Sequence, residues 1–154
     1  MSKEALINVL FVDDESDNLI GFKAYFRRYY NVFIALSAVE AKEILTFNEI
    51  HVLITDQRMP DTMGTKLLED TIQEYPNQSR ILLTAYTDNE SLIDAFKKGL
   101  LYKYVLKPYD PIELKKIIDA AYEFYTLNKL KDELYKEWLK TQEDFTLLKR
   151  ISVK

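Results

Sequence analysis

Five polar side chains stand directly after apolar runs, where they could do chemistry together. Three carry carboxylates, one a hydroxyl and one an ammonium: Asp13, Asp14, Asp56, Thr84 and Lys107. Three carboxylates in contact repel one another, and each pair costs about 4 kcal/mol at roughly 4 Å and an effective dielectric constant near 20. Such a cluster must take up protons, pair with a lysine or hold a divalent cation. Oxygen ligands with no histidine or cysteine nearby favour Mg²⁺ over zinc or copper.

The reaction that suits this set is the transfer of a phosphoryl group to an aspartate. A carboxylate beside Mg²⁺ can attack phosphorus, because the cation neutralises charge on the phosphoryl oxygens. The remaining oxygens of the phosphoryl group need hydrogen-bond donors, and Thr84 and Lys107 could supply them. The residues themselves therefore predict an aspartate that becomes phosphorylated.

Short apolar strands that alternate with amphipathic helices must position these residues. Five apolar runs are typical of strands buried on both faces of a parallel sheet. They are residues 7–12, 32–35, 52–55, 80–84 and 102–106. Ser37 followed by Glu40 indicates the start of a helix, and Gly64 and Gly99 are expected in loops. The alternation predicts an α/β fold of the (βα)5 type, a doubly wound five-stranded parallel sheet with ligands beyond the carboxyl ends of its strands.

The pattern changes after Pro111, where glycine and proline no longer occur and apolar residues recur at helical spacing as far as Leu148. A helix over residues 112–150 would be about 58 Å long, which is more than one small domain can cover. We therefore expect a domain over residues 1–125 whose last helix runs on into a helical extension over residues 126–154. The apolar spacing of the extension favours a coiled coil with a stutter.

Size, charge and composition exclude several classes of protein. The 154 residues are 47% hydrophobic and 30% charged, and they include no cysteine, which excludes disulfides and thiolate chemistry. No apolar run approaches the roughly 18 residues of a membrane span, and no signal-peptide pattern is present, so we expect a cytoplasmic protein without membrane contact. The net charge of −4 argues against direct binding of nucleic acid.

Four segments resemble the receiver domain of two-component response regulators. They are VLFVDDE, ITDQRMPDTMG, ILLTAY and YVLKPYD, in the order and at the spacing of that family over about residues 5–125. The resemblance implies the strand order 2-1-3-4-5. It also implies a phosphorylation switch in a phosphorelay, which takes its phosphoryl group from a sensor histidine kinase or a phosphotransfer protein and needs Mg²⁺. Such a domain accepts the group and signals, and it is not a turnover enzyme.

The resemblance also implies a role for each acidic residue. Asp56 matches the phosphoacceptor. Asp14 matches the direct ligand of the metal ion, and Asp13 matches its acidic partner, which often acts through water. The metal site would then comprise Asp13, Asp14, Asp56 and the backbone carbonyl of Arg58.

The remaining site residues match the groups that hold the phosphoryl oxygens and respond to them. Thr84 and Lys107 complete the catalytic set with Asp56. Thr84 and Tyr104 match the switch pair, in which the aromatic ring moves inward as the hydroxyl is drawn toward the phosphate. His51 is the only histidine, and we interpret it as structural, so the phosphoryl group must come from a partner.

Two other functions stay open at this stage. The chain could be a non-phosphorylated pseudo-receiver or a dimerisation scaffold that acts through its C-terminal helix. It could also be a phosphatase with an aspartyl nucleophile, although the general acid of such enzymes would fall at Arg58. We expect a homodimer, formed either through the C-terminal helix or through the face of the fourth helix, fifth strand and fifth helix.

Two large side chains bear on how long a phosphoryl group would persist. Arg58 and Tyr86 stand two residues after Asp56 and Thr84, where they would flank the approach of hydrolytic water. Their size predicts slow loss of phosphate.

Overall fold

A computed structural model of the protein describes residues 6–85 and 89–152, in which five strands alternate with five helices. The strands are β1 (Asn8–Val12), β2 (Asn31–Ala35), β3 (Val52–Asp56), β4 (Ser79–Thr84) and β5 (Lys103–Leu106). The helices are α1 (Ser16–Phe26), α2 (Ala38–Phe47), α3 (Gly64–Thr71), α4 (Asn89–Lys97) and α5 (Pro111–Ser152). Each strand differs from its predicted run by one residue at one end.

The strands form one parallel sheet in the order β2-β1-β3-β4-β5, as the resemblance implied. Val12 at the end of β1 stands opposite Ala35 of β2 and Thr55 of β3. Thr84 at the end of β4 stands opposite Leu106 of β5. All five carboxyl ends therefore lie along the same edge of the sheet, and this edge is where the predicted site residues begin.

Two apolar layers cover the two faces of the sheet. Along β1, Phe11 packs in the layer that contains α1 and α5, with Phe22 and Ile118 among its members. Leu10, the adjacent residue, packs in the layer that contains α2, α3 and α4, with Leu67 among its members. The central strands are therefore apolar on both sides, as parallel strands between helices must be.

Burial on both faces holds for β3 and β4, all of whose residues are buried. The same prediction is wrong for the two edge strands, since β2 has two buried residues of five and β5 has none. Three of the four residues of β5 are exposed. Because β5 is the edge strand after β4, it has a neighbouring strand on one side only. Its apolar sequence alone does not distinguish an edge strand from a central one.

The sequence signals for helix ends have mixed outcomes. The Ser37 hydroxyl accepts the N–H of Glu40 at 3.2 Å, and the Glu40 carboxylate accepts the N–H of Leu36 at 2.7 Å, so the predicted start of α2 is confirmed. Gly99 lies in the turn after α4 with a φ of 69°, which favours glycine. Gly64 begins α3, so its expected place in a loop is wrong.

Helix α5 is a single helix of 42 residues, about 63 Å long, which confirms the predicted extended last helix. Its first turns bury Leu114 and Ile118 against the sheet. Polar contacts then hold it at the amino ends of the strands, and the last of them joins the Asn77 amide to Asp132 at 2.9 Å. Residues 133–152 are all exposed. Although α5 is long, neither it nor any other helix in the described ranges is apolar enough to cross a membrane.

His51 lies at the amino end of β3, away from the predicted site. Its Nδ1 accepts the N–H of Asn8 at 2.9 Å, and its ring meets the rings of Tyr122 and Tyr125 edge-on at 5.2 and 4.9 Å. These contacts agree with a structural role. Burial lowers the pKa of His51, and the nearby carboxylate of Glu49 offsets only part of that effect.

The lowered pKa of His51 predicts a loss of stability as the solution is acidified. Below about pH 6.5 the unfolded chain binds a proton on this imidazole that the folded chain refuses, so the free energy of unfolding must fall. Chemical unfolding of the native chain and of His51→Gln, followed between about pH 5 and pH 7.5, should show a difference that depends on pH. Parallel curves for the two proteins would contradict this assignment.

Candidate functional site

Four strands bring the predicted polar residues to the carboxyl edge of the sheet. Asp56 is the last residue of β3 and Thr84 the last of β4, while Asp13 follows β1 and Lys107 follows β5. The main chain stays paired at these points. The N–H of Asp13 donates to Ala35 of β2 at 3.1 Å, and the N–H of Lys107 donates to the carbonyl of Thr84 at 2.8 Å. The backbone therefore fixes where each side chain begins.

Three carboxylates meet at this edge. Asp13, Asp14 and Asp56 each offer an oxygen that lies within 4.8 Å of the others, the one such group of potential ligands in residues 6–85 and 89–152. Asp13 is 1% exposed and Asp56 is 8% exposed, whereas Asp14 is open to solvent. A set of oxygen donors around a partly open position is the chemistry that Mg²⁺ prefers. The cluster is consistent with a magnesium site.

Lys107 supplies the positive charge inside the cluster. Its Nζ lies 3.0 Å from an oxygen of Asp56 and 3.4 Å from an oxygen of Asp13. Burial lowers the pKa of Lys107, but the two carboxylates outweigh burial and the net shift is upward. The side chain is therefore a fixed ammonium that bridges β1 and β3 from the end of β5.

Asp56 remains poorly stabilised as an anion despite this ion pair. Burial raises its pKa, Lys107 and the N–H of Gln57 oppose that effect, and the charge of Asp13 adds to it, so the pKa lies above its ordinary value. An ionised carboxylate in this position lacks the solvation that water would give it. A cation that reached the cluster would supply what is missing.

Two residues that the sequence analysis did not select hold Asp13 in place. The backbone N–H of Glu15 donates to one oxygen of Asp13 at 2.9 Å, and the side-chain amide of Asn18 donates to the other at 3.1 Å. Asn18 lies in the first turn of α1, one helical turn beyond the acidic pair, and that spacing was a usable signal. These bonds orient Asp13 before any ligand is bound.

The other predicted residues lie around the cluster with different exposure. Thr84 is buried, whereas Arg58, two residues after Asp56, is exposed. Tyr104 is 38% exposed on β5, with its ring edge-on to Phe96 at 5.9 Å. Tyr86 lies outside the described residues.

A cleft of about 420 Å³ opens beside Lys107 and Asp13. Ala85, Pro108 and Tyr109 are among its other lining residues. The peptide bond between Lys107 and Pro108 is cis. Through Asp13 and Lys107 the cleft adjoins the acidic edge of the sheet. A second groove, of about 480 Å³, lies near Tyr125 at the other end of the sheet and has no part in this site.

Gly64 allows α3 to begin against the backbone of Asp56. The N–H of Gly64 donates to the carbonyl of Gln57 at 2.8 Å. A Cβ on Gly64 would overlap the carbonyl oxygen of Asp56 and touch the side chain of Leu82. Its effect is a close approach of two backbones, which the sequence analysis, having placed this glycine in a loop, did not anticipate.

Comparisons with known proteins agree with this geometry. The family model described as the response regulator receiver domain matches residues 9–119. A receiver domain from Clostridium thermocellum is 32% identical, with a TM-score of 0.74 over 79% of this chain and 98% of that one. A structure described as an adenylate cyclase from Rhodopirellula baltica is 27% identical, with a TM-score of 0.80 over 84% of this chain and 96% of that one.

Similarity to curated proteins covers only part of those proteins. The hydrogenase transcriptional regulatory protein HoxA of Cupriavidus necator is 32% identical over 115 residues, which are 75% of this chain and 24% of HoxA. The chain spans about a quarter of the length of HoxA and of the regulatory protein AtoC of Escherichia coli. The described residues that follow the matched segment, 120–152, all lie in α5.

Two glycine-to-alanine substitutions should have opposite effects on stability. Gly64→Ala forces apart the start of α3 and the Asp56 carbonyl, and we expect it to lower the free energy of unfolding by about 1–3 kcal/mol. Gly21→Ala places its methyl group in open space on α1, and helix propensity should raise the same quantity by about 0.5–1 kcal/mol. Urea unfolding measures both, and equal shifts would contradict the proposed close approach.

Proposed function

The chain belongs to the response regulator receiver domain family, and on that premise we propose that it accepts a phosphoryl group on Asp56 in a Mg²⁺-dependent reaction. The observation that supports this most directly is the juxtaposition of the cluster Asp13, Asp14 and Asp56 with Lys107. One ammonium faces two buried carboxylates, and a third carboxylate stands open to solvent beside them. The arrangement retains negative charge that a divalent cation would balance.

The proposed transfer needs one nucleophile and several groups that hold charge. A carboxylate oxygen of Asp56 forms the new bond to phosphorus, while the bond from phosphorus to the donor breaks and the donor leaves with its electron pair. Mg²⁺, when bound by Asp13, Asp14, Asp56 and the carbonyl of Arg58, would neutralise charge on the phosphoryl oxygens. Lys107 already lies within hydrogen-bond distance of the nucleophile and would stabilise the same oxygens.

We assign the response to phosphorylation to Thr84 and Tyr104. Thr84 ends the strand next to Asp56 and is buried, so its hydroxyl is in place to follow a new phosphoryl oxygen. Tyr104 stands opposite Leu82 in the neighbouring strand, with its ring partly exposed beside α4. Space left by a movement of Thr84 would admit this ring. Because Tyr104 lies on the edge strand β5, this movement would disturb fewer buried contacts than a change in the central strands.

We further propose a partner that supplies the phosphoryl group, either a sensor histidine kinase or a phosphotransfer protein. His51 is not the proposed source of this group, because it precedes β3 at the amino end of the sheet, and Asp56 lies at the opposite end of that strand. The receiver unit over residues 1–125 would act as a homodimer, with residues 126–154 as a separate functional extension. The extension and the face of α4, β5 and α5 are the two candidate contact surfaces.

A scaffold that never becomes phosphorylated is the alternative function, and the exposed helix is what favours it. The acidic cluster argues against it, because a scaffold has no use for buried carboxylates whose charge one lysine does not balance. A phosphatase would need a general acid near the leaving group, and the residue two after Asp56 is Arg58.

Incubation with acetyl phosphate and Mg²⁺, followed by mass spectrometry of the intact protein, tests the proposed function. We expect one added phosphate on the native chain and none on Asp56→Asn. Asp61→Asn, an exposed aspartate in the loop after β3, is the matched control and should be phosphorylated like the native chain. No adduct on the native chain would support the scaffold, and continuous release of phosphate would support the phosphatase.

The lifetime of the phosphorylated form provides a separate prediction. If Arg58 and Tyr86 restrict hydrolytic water, the Arg58→Ala, Tyr86→Ala double variant should lose phosphate several times faster than the native chain. Phosphate release after removal of the donor measures this rate. An unchanged rate would show that neither side chain limits access.

A further inference from the structure

The exposed part of α5 carries an apolar stripe with nothing against it. Leu127, Leu134, Trp138, Phe145 and Leu148 are each between 55% and 65% exposed. With Leu130 and Thr141 they follow one another at steps of three or four residues, so they lie on one side of the helix. The described part of the chain offers no surface that covers them, because α5 makes its last polar contact with the domain at Asp132.

The charged residues beside this stripe are sorted by sign. One flank carries Glu137 and Asp144, and it also includes Glu133. The other flank carries Lys131 and Lys149. None of these side chains forms an ion pair within residues 6–85 and 89–152, so their charges are available to a partner.

The separation of acidic and basic residues on the two flanks favours a second copy of this chain as the partner, and it favours one relative orientation of the two helices. In a parallel pair of identical helices, the acidic flank of each copy meets the basic flank of the other, and Asp144 faces Lys149 of the second copy five residues further on. In an antiparallel pair centred on the stripe, the two acidic flanks meet, which places Glu137 near Glu137 of the second copy and Asp144 near its Glu133. Opposite charges attract only in the parallel arrangement.

We propose that residues 127–152 of α5 form a parallel two-stranded coiled coil with a second copy of this chain. The inference rests on the homodimer of the proposed function and selects one of its two candidate surfaces. Each helix contributes its apolar stripe to the contact. The step from Leu134 to Trp138 is four residues where a regular heptad has three, and this extra residue locally unwinds the supercoil. Both domains then leave the coiled coil at the same end.

Charge reversal with sedimentation equilibrium tests the direction of pairing. Asp144→Lys should weaken the dimer roughly tenfold, because two attractive pairs become repulsive. Adding Lys149→Glu should restore most of the affinity. Glu143→Lys makes the same charge change on the opposite side of the helix and should leave the affinity unchanged. A tighter dimer for Asp144→Lys would overturn the proposal in favour of antiparallel pairing.

A second measurement uses the absence of cysteine in the native chain. In the parallel dimer, two Ser152→Cys side chains meet across the axis and should form a disulfide on mild oxidation. In an antiparallel dimer centred on the stripe they would be roughly 44 Å apart. Circular dichroism checks that each variant keeps its helix, since all these positions are exposed.

The outcomes separate this proposal from the proposed function. A monomeric native chain that still takes up phosphate from acetyl phosphate would overturn the coiled coil and leave the receiver function intact. A parallel dimer that takes up no phosphate would support the coiled coil and overturn the proposed phosphorylation of Asp56. A dimer that Leu134→Glu leaves unchanged would show that the contact lies elsewhere, and Leu139→Glu, on another side of the same helix, is the matched control.

Discussion

The ion pair of Lys107 with two buried carboxylates is the interaction on which the rest of the site depends. Its ammonium lies 3.0 Å from Asp56 and 3.4 Å from Asp13, and without it two poorly solvated anions would face each other. Removing one partner of a buried pair is far more costly than the pair is stabilising. Three carboxylates face one ammonium at this edge, so the ionised cluster has a net negative charge. The packing of the core must offset the free-energy cost of that charge, and a divalent cation would lower it.

The parallel sheet holds the like-charged carboxylates of the cluster close together. Backbone hydrogen bonds continue past the strand ends at Asp13 and Lys107, so the charged side chains start from fixed points and cannot relax apart. The start of α3 packs closely against the carbonyl of Asp56, because Gly64 has no side chain there. By contrast, β5 is largely exposed, and local rearrangement costs least where few apolar groups are buried. The burial of Asp56 and the partial exposure of Tyr104 thus reflect the difference between a central and an edge strand.

Most of the fold and the location of the candidate site could be predicted from local pattern. Apolar runs located all five strands, and the rule that ligands lie beyond parallel strands selected Asp56 and Lys107. The errors concern what periodicity does not encode. The exposure of β5 depends on which strand stands beside it, and Gly64 matters because another backbone approaches it. Asn18 acts through a hydrogen bond to Asp13; its spacing from the acidic pair was a usable signal, but spacing does not specify the direction of the bond.

The course of α5 connects the two ends of the molecule. Strand β4 ends at Thr84 in the site, and at its other end the Ser79 hydroxyl donates to the carbonyl of Ala121 in α5 at 2.5 Å. A few residues later the Tyr125 hydroxyl donates to Glu49 at 2.7 Å. These bonds hold this part of α5 to the amino ends of the strands, whereas residues 133–152 of the same helix are exposed. Since α5 is one continuous helix, the proposed coiled coil would begin directly after the turns that these bonds attach to the sheet.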